Sequence, residues 1–323
     1  MLTVVLLPGM DGTGTLFEPF TAALGKEFSV QVIRYPTTGA LGYEKLEEHA
    51  RSSLPTNSQF VILGESFSGP IAVSIAASHP VGLVGLILCS TFIRNPRPFF
   101  GPLRYLASAL PVNFAPHALL SAALLGRFST PQLRCALAAA MAQVSADALR
   151  ARLRAVLSVE VSAKLKAVAV PLLYLLAEHD QVVPVGALRQ IEQVFPATQV
   201  ASVNAPHFLL QAAPNEAAVA VSNFLRSLHT ALQQAAETLP RHRTHQNCDP
   251  IKRSSSDFFV YAKGVITLFS TNFFFRKQYF SSLLVVKRAS VGLHPKANST
   301  SIRRVSKCYS GCSQNNLCVS SYQ

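Results

Sequence analysis

The chain has 323 residues, of which 49% are hydrophobic and 14% charged, so it carries enough apolar side chain for a buried core, and wholesale disorder is excluded. No run of eighteen or more apolar residues occurs, which argues against a membrane-spanning helix. The first eight residues have neither the basic start nor the length of a secretory signal, and a cytoplasmic protein is therefore predicted.

The net charge of +13 is unevenly distributed along the chain. Residues 1–240 hold 16 Lys and Arg against 14 Asp and Glu, whereas residues 241–323 hold 13 against 2. The excess positive charge belongs to the C-terminal segment, so we expect no nucleic-acid partner for the first 240 residues.

The first 240 residues alternate strand-like and helix-like segments. Short β-branched or aliphatic runs predict strands at 2–7, 28–35, 60–64, 83–89, 171–176 and 199–203. Helices are predicted at 43–54, 67–79, 185–195 and 215–234. This alternation predicts an α/β fold with a mostly parallel sheet, helices on both faces, and chemistry at the carboxyl ends of the strands.

One interval, at about 93–170, interrupts the alternation. It contains no convincing strand and consists of helix-like segments with Pro-containing joints. We therefore predict a helical lid at 93–170, inserted between two parts of the core at 1–92 and 171–240. Lids of this kind exclude water from a reaction site.

A nucleophile is predicted at Ser66, where the third strand runs into the motif GESFSG at 64–69. A serine on a tight strand-to-helix turn exposes its hydroxyl above the sheet, and the turn needs small residues two positions away on either side. Gly64 meets this requirement, and Ser68 stands where glycine is usual. The alternative is that Ser66 only caps the following helix.

The acid is assigned by elimination among the four aspartates that follow Ser66. Asp147 lies within a predicted helix of the insertion, and Asp249 and Asp257 lie in the C-terminal segment. Asp180 directly follows the strand predicted at 171–176, at a carboxyl end of the sheet, and is the predicted acid. An aspartate that only caps its own loop is the alternative.

The predicted base is His207, which follows the last predicted strand and completes the chain order Ser, Asp, His. A serine hydroxyl is a poor nucleophile until a base takes its proton, and an acid must hold that base in the right tautomer. The other histidines lie on or beside helices, in the insertion, in the C-terminal segment, or directly before Asp180. A histidine with a purely structural role is the alternative.

Two backbone N–H groups are predicted to stabilise an oxyanion. One belongs to Phe67, the residue after the predicted nucleophile, and the other to Met10 in the glycine-rich loop PGMDGTG at 8–14. A phosphate-binding loop is the rival interpretation, but this loop lacks both the Lys-Ser/Thr ending and the dinucleotide glycine spacing.

These segments together resemble the α/β-hydrolase superfamily over about residues 1–236. The resemblance rests on LLPGMDGTG at 6–14, GESFSG at 64–69, LLYLLAEHDQVVP at 172–184 and NAPHFLLQAAP at 204–214. The likeness is greatest to esterases of the pimeloyl-acyl-carrier-protein methyl ester type, and the PGMDGTG loop is also similar to that of plant proteins that make phytyl esters. The resemblance implies a triad of Ser66, Asp180 and His207, with Met10 and Phe67 as oxyanion donors.

The sequence departs from the pattern of this superfamily in three places. Pro8-Gly9 replaces the usual His-Gly of the oxyanion loop, and Ser68 replaces glycine. The N-terminal antiparallel strands of the fold are expected to be missing. The first two departures leave both backbone donors available.

The predicted function is hydrolysis of carboxylic (acyl) esters through an acyl-enzyme intermediate, with no metal or organic cofactor. Transfer of the acyl group to an alcohol and a non-catalytic binding function on the same fold are the alternatives. Residues 91–170 carry ten Lys and Arg against two Asp and Glu. The predicted partners are therefore a small acyl ester and an acidic acyl carrier protein docked on the basic lid, although solvated helix faces explain the charge more simply.

The C-terminal segment, 241–323, is basic and rich in Ser and Phe, without a helical or strand period. This composition favours an appended segment without its own fold, disordered or non-native. The alternatives are a nucleic-acid or membrane-surface arm and a zinc site at Cys308, Cys312 and Cys318, for which His294 is the only nearby histidine.

Overall fold

The computed structural model describes residues 1–105 and 117–238. The predicted C-terminal segment, with its three candidate zinc cysteines, lies outside these residues, as does the part of the predicted lid at 106–116. Among the helices of the described chain, none combines the length and the apolarity that crossing a bilayer requires.

The described residues form six β-strands and ten α-helices. The strands are β1 (Thr3–Leu7), β2 (Ser29–Val32), β3 (Phe60–Glu65), β4 (Leu83–Cys89), β5 (Leu172–Ala177) and β6 (Gln199–Val203). The helices are α1 (Glu18–Leu24), α2 (Tyr43–Ser52), α3 (Gly69–Ala76), α4 (His117–Leu125), α5 (Pro131–Ala142), α6 (Ala146–Ser158), α7 (Ser162–Lys166), α8 (Gly186–Val194), α9 (Leu209–Ala212) and α10 (Pro214–Thr238). Short 3₁₀ segments add Thr15–Phe17, Ser66–Ser68, Pro98–Tyr105 and Gly126–Phe128.

The six strands lie parallel in one sheet, in the order β2-β1-β3-β4-β5-β6. The chain moves outward from β1 to β2, then crosses back to the other side of β1 to form β3, and continues outward through β6. The order therefore reverses between β1 and β3, and the segments that follow these two strands diverge. Such a switch point opens a crevice at the carboxyl ends of the strands.

Alternating side chains of the central strands pack into two separate apolar layers. Val5 and Leu7 of β1 contribute to a core with α2, α3, α7 and α8, whereas Val4 and Leu6 contribute to a second core with α1, α9 and α10. Because both faces of the sheet are covered, the inner strands read as continuous apolar runs rather than as alternating patterns.

Several predicted elements differ from the observed ones by a few residues at their ends, and two of these differences have a structural reason. The strand predicted at 28–35 is limited to Ser29–Val32, because it lies at the sheet edge and pairs only with β1, from Thr3 to Leu6. The helix predicted at 67–79 begins as a 3₁₀ turn, and its α-helical part ends at Ala76, shortly before His79 adopts a left-handed conformation with φ +52°.

The residues described between β4 and β5 form helices, in the interval predicted to be a lid. The two ends of this interval meet at an isolated antiparallel bridge between Arg94 and Glu160, whose side chains form an ion pair at 3.0 Å. Helix α7 lies beyond this bridge and packs against α3 and α8, beside the sheet. The bridge thus closes the base of a helical insertion that contains α4, α5 and α6.

The start of α3 leaves no room for a side chain at Gly69. A Cβ atom there would lie 2.6 Å from Cγ2 of Thr91 and closer still to its Oγ1, whereas a Cβ atom at Gly186 would meet nothing within 4 Å. We expect Gly69→Ala to lower the free energy of unfolding by about 1–3 kcal/mol through overpacking. Gly186→Ala, the matched control at the start of α8, should change it by no more than about 0.5–1 kcal/mol. Urea denaturation measures both, and equal stabilities would contradict the packing.

Candidate active site

The turn after β3 holds Ser66 in a conformation that few side chains adopt. Ser66 has φ +48° in the left-handed region, which is costly and is found where surrounding structure enforces it. At Gly64, two residues earlier, a Cβ atom would lie 2.8 Å from both the Ala72 Cβ and the Ser68 carbonyl oxygen. The Thr91 hydroxyl donates to the Ser66 carbonyl oxygen. Close packing of α3 on β3 therefore sets the turn and directs Ser66 away from the sheet.

The three side chains predicted as nucleophile, base and acid lie in one hydrogen-bonded row. Ser66 Oγ is 2.8 Å from His207 Nε2, and His207 Nδ1 is 2.7 Å from Asp180 Oδ2. The side chains of His207 and Asp180 are only 4% and 6% exposed. Because the Nδ1–H donates to the carboxylate, Nε2 is the nitrogen that can accept the Ser66 proton.

Asp180 makes the contacts expected from both of the alternatives that the sequence left open. Its Oδ1 accepts the backbone N–H groups of Val182 and Val183, each at 2.8 Å, and thereby caps the loop after β5. Its Oδ2 is the oxygen that faces His207. The loop cap fixes the carboxylate in the orientation that the imidazole requires.

The loop after β1 forms a tight turn in front of Ser66. The Gly12 N–H donates to the Gly9 carbonyl oxygen at 3.1 Å, so Met10 and Asp11 are the central residues of the turn. Among the described residues the Met10 N–H has no hydrogen-bond acceptor. Phe67 is the second residue of its 3₁₀ turn, where an N–H group has no partner within the helix. Within residues 1–105 and 117–238, neither of the two N–H groups predicted as oxyanion donors has a hydrogen-bond acceptor.

Ser68, which departs from the superfamily pattern, has a defined contact of its own. Its hydroxyl donates to the Pro8 carbonyl oxygen and lies 2.7 Å from the Tyr35 hydroxyl, which donates in turn. Since Ser68 belongs to the turn after β3 and Pro8 to the loop after β1, this hydrogen bond joins the two segments. Sequence reasoning missed Tyr35, which follows β2 and carried no motif.

A buried carboxyl group, Glu65, lies directly before Ser66 and was also missed. Burial raises its pKa to about 7, and the nearby Asp11 acts in the same direction, whereas the hydrogen bond from Gln211 and the proximity of His207 act against it. Gln211 Nε2 donates to Glu65 Oε1 at 2.9 Å. The position of Glu65 inside the apolar end of β3 was the available indication in the sequence.

An apolar cavity of about 330 Å³ opens onto this row of side chains. Its polar lining consists of Ser66, His207, Glu65 and Asp11. The remaining lining residues are Gly9, Met10, Leu16, Leu120, Ala123, Leu124, Leu137, Met141, Val182 and Phe208. Five of these side chains come from α4 and α5, so the helical insertion forms much of the wall. A mostly apolar pocket with a few converging polar groups is typical of a small-molecule site.

Residues 43–209, just over half of the chain, match the family of hydrolases described as serine aminopeptidase, S33. The chain belongs to this S33 family. The matched range contains Ser66, Asp180 and His207, while the loop with Met10 lies before it. The broad prediction of a serine α/β-hydrolase is confirmed at the level of the family.

Solved structures of other hydrolases have the same fold as this S33 family member. A thermophilic esterase from Thermogutta terrifontis has a TM-score of 0.61 and 20% identity, covering 71% of this chain and 91% of that chain. A structure from work on the carboxylesterases of Nitrososphaera gargenis has a TM-score of 0.61 and 16% sequence identity, covering 71% of this chain and 91% of that chain. The enol-lactonase from Burkholderia xenovorans LB400 has a TM-score of 0.54 and 18% sequence identity, covering 69% of this chain and 91% of that chain. The predicted α/β-hydrolase fold is confirmed.

A curated relative matches part of the chain. Phytyl ester synthase 1, chloroplastic, from Arabidopsis thaliana is 34% identical over 103 residues, which are 29% of this chain and 15% of that protein. The chain therefore matches only a small part of the length of this relative.

The raised pKa of Glu65 predicts a pH dependence of stability. The folded carboxyl, with a pKa of about 7 against an ordinary 4.5, binds its proton more tightly than the unfolded one. The cost of ionising it is absent below about pH 4.5 and complete above about pH 7, where it amounts to about 3 kcal/mol. We expect the stability of Glu65→Gln relative to the wild type to rise as the pH increases from about 5 to about 8. Urea denaturation across this range measures the difference, and parallel profiles would contradict the buried carboxyl.

Proposed function

We propose that this S33 family member is a serine esterase that cleaves carboxylic esters of apolar acyl groups. Ser66 is the proposed nucleophile, His207 the general base and acid, and Asp180 the group that orients and stabilises the imidazole. The observation that carries the proposal is the row of contacts at 2.8 and 2.7 Å at the wall of an apolar cavity. A nucleophile, a base and an orienting acid in hydrogen-bond reach are the requirement for this chemistry.

In the proposed reaction, His207 Nε2 takes the Ser66 proton as Oγ attacks the ester carbonyl carbon. The carbonyl oxygen becomes an oxyanion that accepts from the N–H groups of Met10 and Phe67. The intermediate collapses to a serine ester, and the leaving alkoxide takes the proton from His207. Water then attacks the serine ester by the same steps, which releases the acid and restores Ser66. His207 transfers the proton in each step, and the only reactants besides Ser66 are the ester and water.

The proposed substrate has an apolar acyl group that fits beneath the helical insertion. Leu120 and Ala123 of α4 and Leu137 and Met141 of α5 line the cavity above Ser66, so we propose that the insertion acts as the predicted lid. Esters of the pimeloyl-acyl-carrier-protein type are one substrate class that this geometry accommodates. A cytoplasmic location stays a prediction.

The acidic acyl carrier protein stays a predicted partner. The case for it depends on whether the basic side chains that would attract it are free to do so. Much of the positive charge of residues 91–170, which were predicted to form a basic lid, is already used within the chain. Arg94 pairs with Glu160, Arg150 with Asp147 and Lys164 with Glu47. Arg97, Arg127 and Arg152 donate to the loops around the site. These contacts favour a structural use of the charge over the steering of a carrier.

Acyl transfer to an alcohol is the second candidate function. The similarity to phytyl ester synthase 1 favours it, because an enzyme that makes esters delivers its acyl group to an alcohol rather than to water. The same nucleophile, base and donors serve both reactions, and the acceptor decides between them. Hydrolysis of an amide, as the name of the S33 family suggests, would also use the same groups.

Replacement of the proposed nucleophile should remove the activity. We expect Ser66→Ala to lower kcat/KM for p-nitrophenyl butyrate by about 10⁴-fold or more, because the remaining groups provide only binding and oxyanion stabilisation. A fluorophosphonate probe should label the wild type and fail to label this variant. Ser158→Ala, at the exposed end of α6, should behave as the wild type.

Four outcomes would redirect the proposal. An active Ser66→Ala variant would exclude the mechanism, and a wild type that neither turns over esters nor binds the probe would favour a binding protein. A new ester as the main product when a long-chain alcohol is present would establish the transferase. Cleavage of an aminoacyl p-nitroanilide in preference to the ester would establish a peptidase.

Two neighbouring alanines of α4 test the acyl pocket. Ala123 lines the cavity, whereas Ala122 is exposed. We expect Ala123→Trp to fill the space for longer chains, lowering kcat/KM for p-nitrophenyl decanoate about tenfold or more while changing that for the acetate by less than roughly threefold. Ala122→Trp, the matched control, should leave the chain-length profile unchanged. Equal losses on both esters would place the acyl group elsewhere.

A further inference from the structure

An arginine of the helical insertion, Arg152, lies buried against the loop after β1. Arg152, on α6, is 1% exposed and shares the buried side of the helix with Leu149 and Val156. Burial lowers the pKa of Arg152, although a guanidinium keeps its charge at any physiological pH. A buried charge is tolerated only where hydrogen bonds replace its lost hydration, so the partners of Arg152 need to be identified.

Those partners are three backbone carbonyl groups rather than a carboxylate. Nη1 donates to the carbonyl oxygens of Met10 at 2.7 Å and Asp11 at 2.8 Å, and Nη2 donates to that of Pro36 at 2.8 Å. The Asp11 carboxylate instead accepts from the backbone N–H and the hydroxyl of Thr13. The guanidinium therefore fixes backbone, and two of its three hydrogen bonds fix the turn with the predicted oxyanion donor.

The geometry of that turn explains why an external donor is needed. In a tight turn the first carbonyl accepts from the fourth N–H, as Gly9 does from Gly12, and the carbonyls of the two central residues have no partner within the turn. Buried carbonyl groups without partners are costly. Arg152 satisfies both central carbonyls with one nitrogen, and it thereby fixes the peptide planes on the C-terminal side of Met10.

Two further contacts adapt this region to α6. At Gly12, with φ +71°, a Cβ atom would lie 2.7 Å from Arg152 Nη1, so glycine leaves room for the guanidinium. The Met10 side chain packs against the apolar cluster of Val144, Ala148 and Leu149, and the last two of these lie about one turn before Arg152 on the same helix. The start of α6 and the segment before it therefore pack on the Met10 side chain, while Arg152 of the same helix holds the Met10 backbone.

We propose that Arg152 is a positioning residue that holds the Met10 N–H in the direction of the oxyanion. The inference rests on the proposed function, because an oxyanion forms only if Ser66 attacks a carbonyl group. It makes α6 part of the catalytic apparatus rather than only a cover for the substrate. Ser68 holds the same loop at the other side of Met10, through the Pro8 carbonyl oxygen, so the donor lies between two fixed points.

The experiment compares Arg152→Met, which keeps an apolar stem and removes the donors, with Arg154→Met, an exposed position on the same helix. For Arg152→Met we expect kcat for p-nitrophenyl butyrate to fall about ten- to a hundredfold with KM within about twofold, since a displaced oxyanion donor weakens only the transition state. The affinity for a trifluoromethyl ketone, whose adduct carries an oxyanion, should fall in parallel. Arg154→Met should match the wild type in all three.

Folding and the proposed function are checked separately. Urea denaturation and circular dichroism establish that each variant is folded at the assay temperature. If Arg152→Met does not fold, the same measurements are made on Arg152→Lys. A single ammonium group cannot reproduce the planar set of guanidinium donors, so we expect this variant to have a kcat between those of the wild type and a variant without donors. An unchanged kcat, or a loss confined to KM with full ketone affinity, would overturn the positioning role. A wild type that fails to react with a fluorophosphonate would instead overturn the proposed function.

Discussion

The parallel alignment of the six strands is the constraint on which the rest of the site depends. Parallel strands bring all their carboxyl ends to one edge of the sheet, so segments far apart in the chain must meet there. The reversal of strand order between β1 and β3 sends α1 and α3 to opposite faces and leaves a crevice between the segments that follow these strands. Met10 and Ser66 lie on its two sides, and Asp180 and His207 approach from β5 and β6. The contacts at 2.8 and 2.7 Å are a consequence of this arrangement.

Segments at strand ends have carbonyl groups with no partner in the sheet, and arginines of the insertion satisfy several of them. Arg97 donates to the Gln181 carbonyl oxygen beside the proposed acid, and Arg152 donates to the Met10 and Asp11 carbonyl oxygens in the turn after β1. Arg127 instead contacts the side chains of His179 and Asn204, in the two loops that carry the proposed acid and base. A guanidinium offers five donors in a planar fork, which suits carbonyls that diverge from one another. The positive charge of the insertion thus stabilises the loops around the site. A count of charges along the sequence cannot distinguish an arginine that makes such contacts from one that is solvated. Position on the helix distinguishes Arg152, because it interrupts an apolar stripe that the sequence shows.

The fold and the order of the site residues could be predicted because both depend on local patterns. A strand that is covered on both faces of the sheet is apolar along its whole length, so it can be recognised in the sequence as a continuous apolar run. Strands β4 and β6 have the predicted bounds, at 83–89 and 199–203. Ser66, Asp180 and His207 could be proposed because each follows a strand closely. The contact of Tyr35 with Ser68 could not be predicted, since it joins hydroxyl groups 33 residues apart in segments without a period. The edge strand was predicted too long because its length depends on its partner rather than on its own composition.

The carboxyl groups around Ser66 affect the energy of the negatively charged oxyanion that would form in the proposed reaction. Glu65 Oε2 and Asp11 Oδ1 each lie 3.6 Å from the point that a Cβ atom of Gly9 would occupy, beside the proposed donor turn. Two ionised carboxylates there would raise the energy of a forming oxyanion, and more so in an apolar cavity than in water. Burial that raises the pKa of Glu65 to about 7 removes part of this negative charge near neutral pH. Asp180, in contrast, accepts hydrogen bonds from two backbone N–H groups and from the imidazole. The two carboxyl groups thus differ in environment: burial of Glu65 reduces the negative charge beside the proposed oxyanion, whereas hydrogen bonds hold Asp180 behind the proposed base.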